Sequence, residues 1–475
     1  MKALPWGRDE SMSLATTTPE LQSYLDAFTR FEKSAPGHDL GWLHTLRQDG
    51  FARFSELGFP TTHDEDWRFT NIAAISRTRF QLSDSVETQH AASLEPGALD
   101  GFRIPGAACQ LVFVNGRYAP EVSSLGERPK GVHVSSLAAA INSDAAGLED
   151  HLGRYASFGR DAFTALNSAF FTDGGHVYIA RGVVLEAPIC LLYVSTGNSA
   201  PLMAHPRNLV IVAENSQATV VEDYVSVNSG VMFSNIVTEL VAGEGAVVAH
   251  YMIEREDMQA LNVSTLRIQQ ERNANVESHS VLLGGALVRN NVHPVLAGEG
   301  GECLINGLYI GKGRQHMDNY MLVEHAKPHC NSRQFYNGIL DEQAHGVFHG
   351  RIIVHKDAQK TDAKQTNRNL LLSDEAQIDT KPQLEIYADD VKCTHGATIG
   401  QVEENALFYL RSRGLDEAAA RRLLLYAFAS ECLDRMRTGP VRTYLEGLTS
   451  RWLPAGKTAG RTSIAEVERN WEELG

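Results

Sequence analysis

Apolar positions run along this chain at two different periods, and the places where the period changes divide it. From Thr18 to Leu57 the residues Leu21, Leu25, Phe28 and Phe31, then Leu43, Leu46 and Phe54, fall at helical spacing with polar residues between them. That spacing predicts a helical entry region. A short extended run, Gln110 to Val114, follows and continues past Asn115-Gly116, a dipeptide suited to a two-residue hairpin turn. Helical spacing returns between Ser135 and Ser168. From His176 to Ile399 short apolar runs alternate with polar turns and no long amphipathic helix is visible, so this stretch reads as a strand-rich solenoid or sandwich. Turn-like clusters recur at 214–216, 243–245, 272–275 and 298–301, and the steps from Asn215 to Glu244 to Asn273 to Glu299 are 29, 29 and 26 residues. Such spacing fits rungs of a parallel β-helix; a β-sandwich with accidental turn spacing is the alternative.

After Gly400 the helical period returns. Asp416 is placed as an N-cap, and Leu423, Leu424, Ala427, Phe428, Cys432 and Met436 form a stripe at 3.6 spacing. A second, shorter helix is its mate, and Ser463-Ile464-Ala465-Glu466 has the form of a capping box that opens a final helix running to the end. These helices are expected to bury their stripe on the solenoid or on each other. The expected division is a mainly helical region over 1–168, a β-helix core over 169–400 and a helical region over 401–475.

Composition narrows the function classes. With 475 residues, 43% of them hydrophobic, the chain can bury a large core. Its net charge of -15 argues against nucleic acid, whose binders cluster Lys and Arg to release counterions. No apolar run approaches the roughly 18 to 20 residues that span a bilayer, and Met1 to Glu10 lacks a signal-peptide core. A cytoplasmic, membrane-free protein is expected. The six cysteines are scattered without close pairs, unlike a disulfide framework, and read as reduced thiols.

The sharpest chemical signal lies in Asp389 to Gly400. If this segment is a strand, Val391, Cys393, His395, Ala397 and Ile399 share one face. That face is apolar and is expected to be buried. A thiolate beside an imidazole suits zinc, copper or an iron–sulfur cluster, yet two ligands leave a tetrahedral site half empty, so the others must come from elsewhere. The alternative is a small buried Cys beside a hydrogen-bonded core His. Eight of the 18 histidines lie between His279 and His355, and the pairs His325/His329 and His345/His349 have spacing that can share a face. No His-Glu-x-x-His accompanies them, and Cys330 reads as structural. Gly456-Lys457-Thr458 lacks the upstream glycine of a phosphate loop, where Arg451 stands instead, so no nucleotide is expected on this chain. Gly-x-Ser-x-Gly is absent.

The segment Asp389 to Gly400, with Asn405 to Gly414 after it, closely resembles the C-terminal signature of the SufB/SufD family of iron–sulfur cluster assembly scaffold proteins, on its SufD side. The likeness extends upstream through Arg351 to Lys356, Ala358 to Ala363, Asn369 to Ser373 and Asp379 to Ile386, and Glu65-Asp66-Trp67-Arg68-Phe69-Thr70-Asn71 resembles the family's entry motif. The resemblance implies a mainly β fold, a right-handed parallel β-helix flanked by N-terminal and C-terminal α-helical domains. It implies a non-catalytic scaffold that pairs with SufB through the end of the β-helix and carries the SufC ATPase, whose ATP hydrolysis drives assembly, on its C-terminal helices around Leu424, Phe428, Cys432 and Met436. A transient iron–sulfur cluster would form at the SufB interface, with the signature histidine, His395 here, as a ligand shared with SufB. Cys393 matches the family cysteine, as ligand or as support. Two rivals stand beside this reading: a carbohydrate-active β-helix protein such as a lyase, and a β-helix scaffold that self-associates as a homodimer through its exposed edge.

Overall fold

Beyond position 175 the alternation of apolar and polar residues resolves into two parallel sheets that face each other across a continuous core. The computed structural model describes residues 19–83, 94, 97–143, 147–197 and 200–454. Sheet A is built from β5 (Gly175–Ile179), β8 (Arg207–Val212), β10 (Met232–Ala242), β12 (Leu261–Gln270), β14 (Leu287–Leu296), β16 (His316–His325), β18 (His345–Val354) and β20 (Gln377–Ile386). Sheet B takes the alternate strands β6 (Ile189–Ser195), β9 (Gln217–Ser226), β11 (Val247–Arg255), β13 (Asn275–Leu282), β15 (Glu302–Gly311), β17 (Asn331–Leu340), β19 (Asp362–Leu371) and β21 (Lys392–Gly400). From β8 on, consecutive strands therefore pass from one sheet to the other, and each pairs in parallel with the strand two ahead. The result is a β-solenoid of about seven turns, as the turn spacing predicts.

The polar clusters read from sequence are the corners that carry the chain from sheet A to sheet B. Asn215, Gly245, Asn273, Gly300, His329 and Lys360 all adopt the left-handed conformation there. Their amide N–H groups donate to the carbonyls of Glu244, Arg272, Glu299, Pro328, Gln359 and Asp390, each in the next coil. One residue per coil thus bends the chain and stitches it to its neighbour, which is why Gly and Asn recur at that step. Cys330, at such a corner, is fully buried, with its Sγ 3.3 Å from the Gly298 carbonyl; it is structural.

The first end of the solenoid is bounded by short antiparallel strands. In sheet B, β2 (Cys109–Val114) pairs with β6, and β3 (Arg117–Tyr118) folds back antiparallel through Asn115 and Gly116, both left-handed. In sheet A, β4 (Val132–Ser136) closes antiparallel on β5. The helical period over 135–168 breaks into α4 (Leu137–Asn142), α5 (Leu148–His151) and α6 (Ala162–Phe170), because Ser136 and Asp161 accept amide hydrogen bonds as N-caps and restart the helix. Two further helices, α1 (Pro19–Phe31) and α2 (Gly41–Leu57), join α6 over the outer face of sheet A, where Phe28 stacks on Phe51 at 4.3 Å and Phe163 meets Phe233. Short β1 (Gln81–Leu82) pairs with β7 (Leu202–Ala204) at that sheet's margin.

At the C-terminal side, α7 (Glu404–Ser412), α8 (Glu417–Leu433) and α9 (Pro440–Trp452) follow the last strand. Asp416 caps α8 by accepting from the Ala419 N–H at 2.8 Å, as expected. The buried stripe is rotated from the expected one. Leu425, Phe428, Ala429, Cys432, Leu433 and Met436 are buried, whereas Leu424 is half-buried and Ala427 is exposed. The reason is that α8 packs on two things at once, the outer face of sheet B around Leu308, Ile310 and Ile339, and α9 through Leu445 and Leu448. Asn306 and Asn337, projecting from sheet B, donate to the Cys432 and Phe428 carbonyls at 2.8 Å and fix its register. The Gly456-Lys457-Thr458 and Ser463 to Glu466 segments lie outside the described residues.

Candidate functional site

The second end of the solenoid is open. Among the described residues nothing pairs with the outer edge of β20 or of β21. Most of the residues that carry the family resemblance, 351–356, 358–363, 369–373, 379–386 and 389–400, lie in the last coils beside this edge. In β21, Cys393 stands opposite Ala363 and His395 opposite Gln365 in the ladder with β19. Ala363 and Gln365 are buried in the solenoid, so Cys393 and His395 lie on the inward face, as the period of two predicts.

The expected burial of that face is not found. Cys393 is half-buried, and His395, Ala397 and Ile399 are exposed. The physical reason is position, not period: an inward-facing side chain in an interior coil is covered by the next coil, and β21 has no next coil. Partial burial raises the Cys393 thiol above its ordinary value, with Asp362 adding to the effect and the Ala363 backbone opposing it, so the free thiol stays protonated until a metal or a cation displaces the proton. Ile386, Tyr387 and Ile399, which are 40%, 60% and 52% exposed, add apolar surface at the same end. No periodic signal distinguishes them from core residues.

This end can supply two soft or borderline ligands, not a complete site. Among the described residues no group of three or more His, Cys, Asp or Glu is placed to hold a metal ion. The histidine pairs singled out by spacing do not chelate either. His325 is buried, with its Nε2 2.8 Å from Ser332 Oγ, and His329 sits at a corner. His345 and His349 share the outer face of β18, but four residues along a strand separate them by about 13 Å. Their actual partners lie in neighbouring coils, His316 for His345 and Gln383 for His349.

The entry motif lies across the outer face of sheet A. Trp67 receives the Arg289 guanidinium 3.8 Å from its ring centroid, Thr70 donates to Asp318 at 2.6 Å, and Glu65 reaches the edge strand, where Lys381 contacts it at 2.8 Å. Of the C-terminal candidates, Phe428, Cys432 and Met436 are buried, packed with sheet B and α9, and Leu424 is half-buried. The large apolar side chains that stay exposed in these helices are Phe408 and Tyr409 of α7, at 74% and 54%.

Comparison with known proteins decides the family. Residues 193–428 match the SufBD core domain of SUF-system FeS cluster assembly, and residues 18–191 match the SufBD protein N-terminal region. The chain belongs to the SufBD family. It is 36% identical to a SufBD family iron–sulfur cluster assembly protein of Synechocystis, over 83% of this chain and 87% of that one. It is 32% identical to the iron–sulfur cluster assembly protein SufD of Escherichia coli, over 87% and 96% of the two chains, and 25% identical to SufD of Bacillus subtilis, over 93% and 99%. No helix among the described residues is long and apolar enough to cross a membrane.

Proposed function

We propose that this SufBD protein is the SufD-type scaffold subunit of a SufB–SufC–SufD complex, working in the cytoplasm and without a catalytic centre of its own. The observation that carries the reading is the open end, where an unpaired strand presents Cys393 and His395 beside exposed apolar residues. A site with two ligands and no cover is completed by a partner that brings both. In this reading SufB docks on the edges of β20 and β21. The nascent iron–sulfur cluster, which is cargo, forms there with His395 as a ligand shared with SufB and Cys393 as ligand or support. SufC ATP hydrolysis drives assembly from the C-terminal helices, with Phe408 and Tyr409 of α7 as the contact surface in place of the buried Phe428, Cys432 and Met436.

The test is co-expression with the host's SufB and SufC, anaerobic iron and sulfide analysis of the purified complex, and His395→Ala in parallel. A stable three-component complex whose cluster yield collapses in the variant while assembly persists supports the ligand role. Normal loading of the variant makes His395 structural. A chain that forms only homodimers when all three proteins are present returns the self-associating scaffold to first place.

A further inference from the structure

Away from the open end, the outer face of sheet A holds two imidazoles in an arrangement that hydrogen bonding alone leaves incomplete. His316 and His345 are 29 residues apart and directly opposed in the ladder between β16 and β18. Their Nδ1 atoms are 3.2 Å apart. The protons around them can be assigned from their partners. Asp318 forms an ion pair with Arg289, so it is a carboxylate and only accepts. Thr70 Oγ1 has a single hydrogen and donates it to Asp318 Oδ2 at 2.6 Å. The 2.9 Å contact between Thr70 Oγ1 and His316 Nε2 must then be donated by the imidazole, which leaves His316 Nδ1 as a bare lone pair. His345 Nε2 likewise donates to Asp379 Oδ2 at 2.8 Å, and its Nδ1 is bare too. Two bare nitrogens facing each other repel unless a proton or a metal ion lies between them.

We propose that His316 and His345 bind a divalent transition-metal ion of the zinc or ferrous class through their Nδ1 atoms. Two nitrogens about 2.0–2.1 Å from one metal at a tetrahedral angle are about 3.3–3.4 Å apart, close to the observed separation. Each ring's other nitrogen is held by a hydroxyl or a carboxylate, the supporting arrangement that orients metal-binding histidines and raises their basicity. Asp318 adds negative potential beside His316, offset in part by its Arg289 partner. The His345 side chain is 27% exposed, so the ion is reached from solvent and water completes its coordination. With two protein ligands the site is exchangeable, not structural. It joins β16 to β18, and through Thr70 and Asp379 it touches both the entry motif and the edge strand β20.

Titration of the metal-free, full-length chain with Zn²⁺ alone tests this, with anomalous diffraction at the zinc edge from zinc-soaked crystals. A zinc peak between the two Nδ1 atoms supports the site, as does loss of one bound equivalent in His345→Ala with none lost in His355→Ala. A wild-type crystal at saturating zinc with no peak between the rings overturns it and leaves a shared proton as the cation there. Because that reading needs no variant, a misfolded His345→Ala does not shelter the proposal.

Discussion

Phe428→Ala separates a structural role for α8 from a docking role. Phe428 is buried among residues that include Phe335 and Ile339 on the outer face of sheet B, and the Arg368 guanidinium lies 5.3 Å from its ring centroid. Truncating a buried Phe to Ala costs about 3–5 kcal/mol, as lost transfer energy plus the cavity left behind, and loss of the half-exposed cation–π contact adds about 0.5–1 kcal/mol. The hydrogen bond from Asn337 survives, because it is made to the Phe428 carbonyl. The cost falls on the seam between α8 and sheet B, since the solenoid core between the sheets does not include this residue. Native-state hydrogen exchange is the assay. At about 1.4 kcal/mol per tenfold in an equilibrium constant, amides of α8 and α9 should exchange roughly three hundredfold to twenty thousandfold faster, while β12 and β14 keep their protection. An α8 that exchanges within tenfold of wild type would mean that Phe428 contributes little to that seam, and the docking reading of this residue would revive.

Three further outcomes are expected. Phe408→Ala with Tyr409→Ala should change overall stability by no more than about 0.5 kcal/mol, the usual range for exposed positions, yet weaken SufC binding at least tenfold by titration calorimetry; unchanged affinity would move the contact off α7. Gly307→Ala should lower stability by about 1–3 kcal/mol, because a Cβ there would sit 2.0 Å from the ring of fully buried Tyr336; an unshifted melting curve would refute that packing. Glu254 is fully buried, accepts from the Glu256 and Gly284 amides, and is pushed well above the usual carboxylate range by burial, with the Glu256 carboxyl adding to it. Its folded value exceeds its unfolded one, so its contribution is complete below the ordinary carboxylate range and is lost as pH rises through the raised value. Thermal midpoints should therefore decline from mildly acidic toward alkaline pH, and Glu254→Gln, which cannot ionise, should flatten that decline; an equal slope in both proteins would assign the effect elsewhere.

The legible parts of the fold were those set by local periods. The step of about 29 residues between corners reported the coil length, the Asn115-Gly116 turn reported the hairpin, and Asp416 reported the start of α8. What a period cannot carry is which coil is last. Cys393 and His395 alternate just as Ala363 and Gln365 do one coil earlier, yet Ala363 and Gln365 are buried and His395 is exposed. The histidine pairing was missed for a related reason. Spacing within a strand points to His345 and His349, whereas the contact that forms, His316 with His345, is separated by one coil of 29 residues. The stripe of α8 came out rotated because a single-face helix pattern was read, while the helix packs on both sheet B and α9.

The asymmetry of the two ends limits what the scaffold can build. At the first end, antiparallel β3 and β4 terminate both sheets, and a strand added there would have to pair with chain that already turns back. At the second end both sheets stop in parallel register, with β20 and β21 unpaired. An exposed strand edge is a template for another chain, so a solenoid open at both ends invites stacking into filaments, as heterologous contacts that do not close always do. Among the described residues the first end offers only the short antiparallel edges of β3 and β4, whereas the second offers two long parallel ones, so end-to-end pairing through β20 and β21 favours an assembly of two solenoids. If SufB docks there as proposed, a second copy and SufB would compete for the same strands. Any balance between homodimer and heterocomplex would then be set by which partner better covers Tyr387, Ile399 and the exposed His395, and raising SufB at fixed concentration of this chain should dissolve homodimers in proportion.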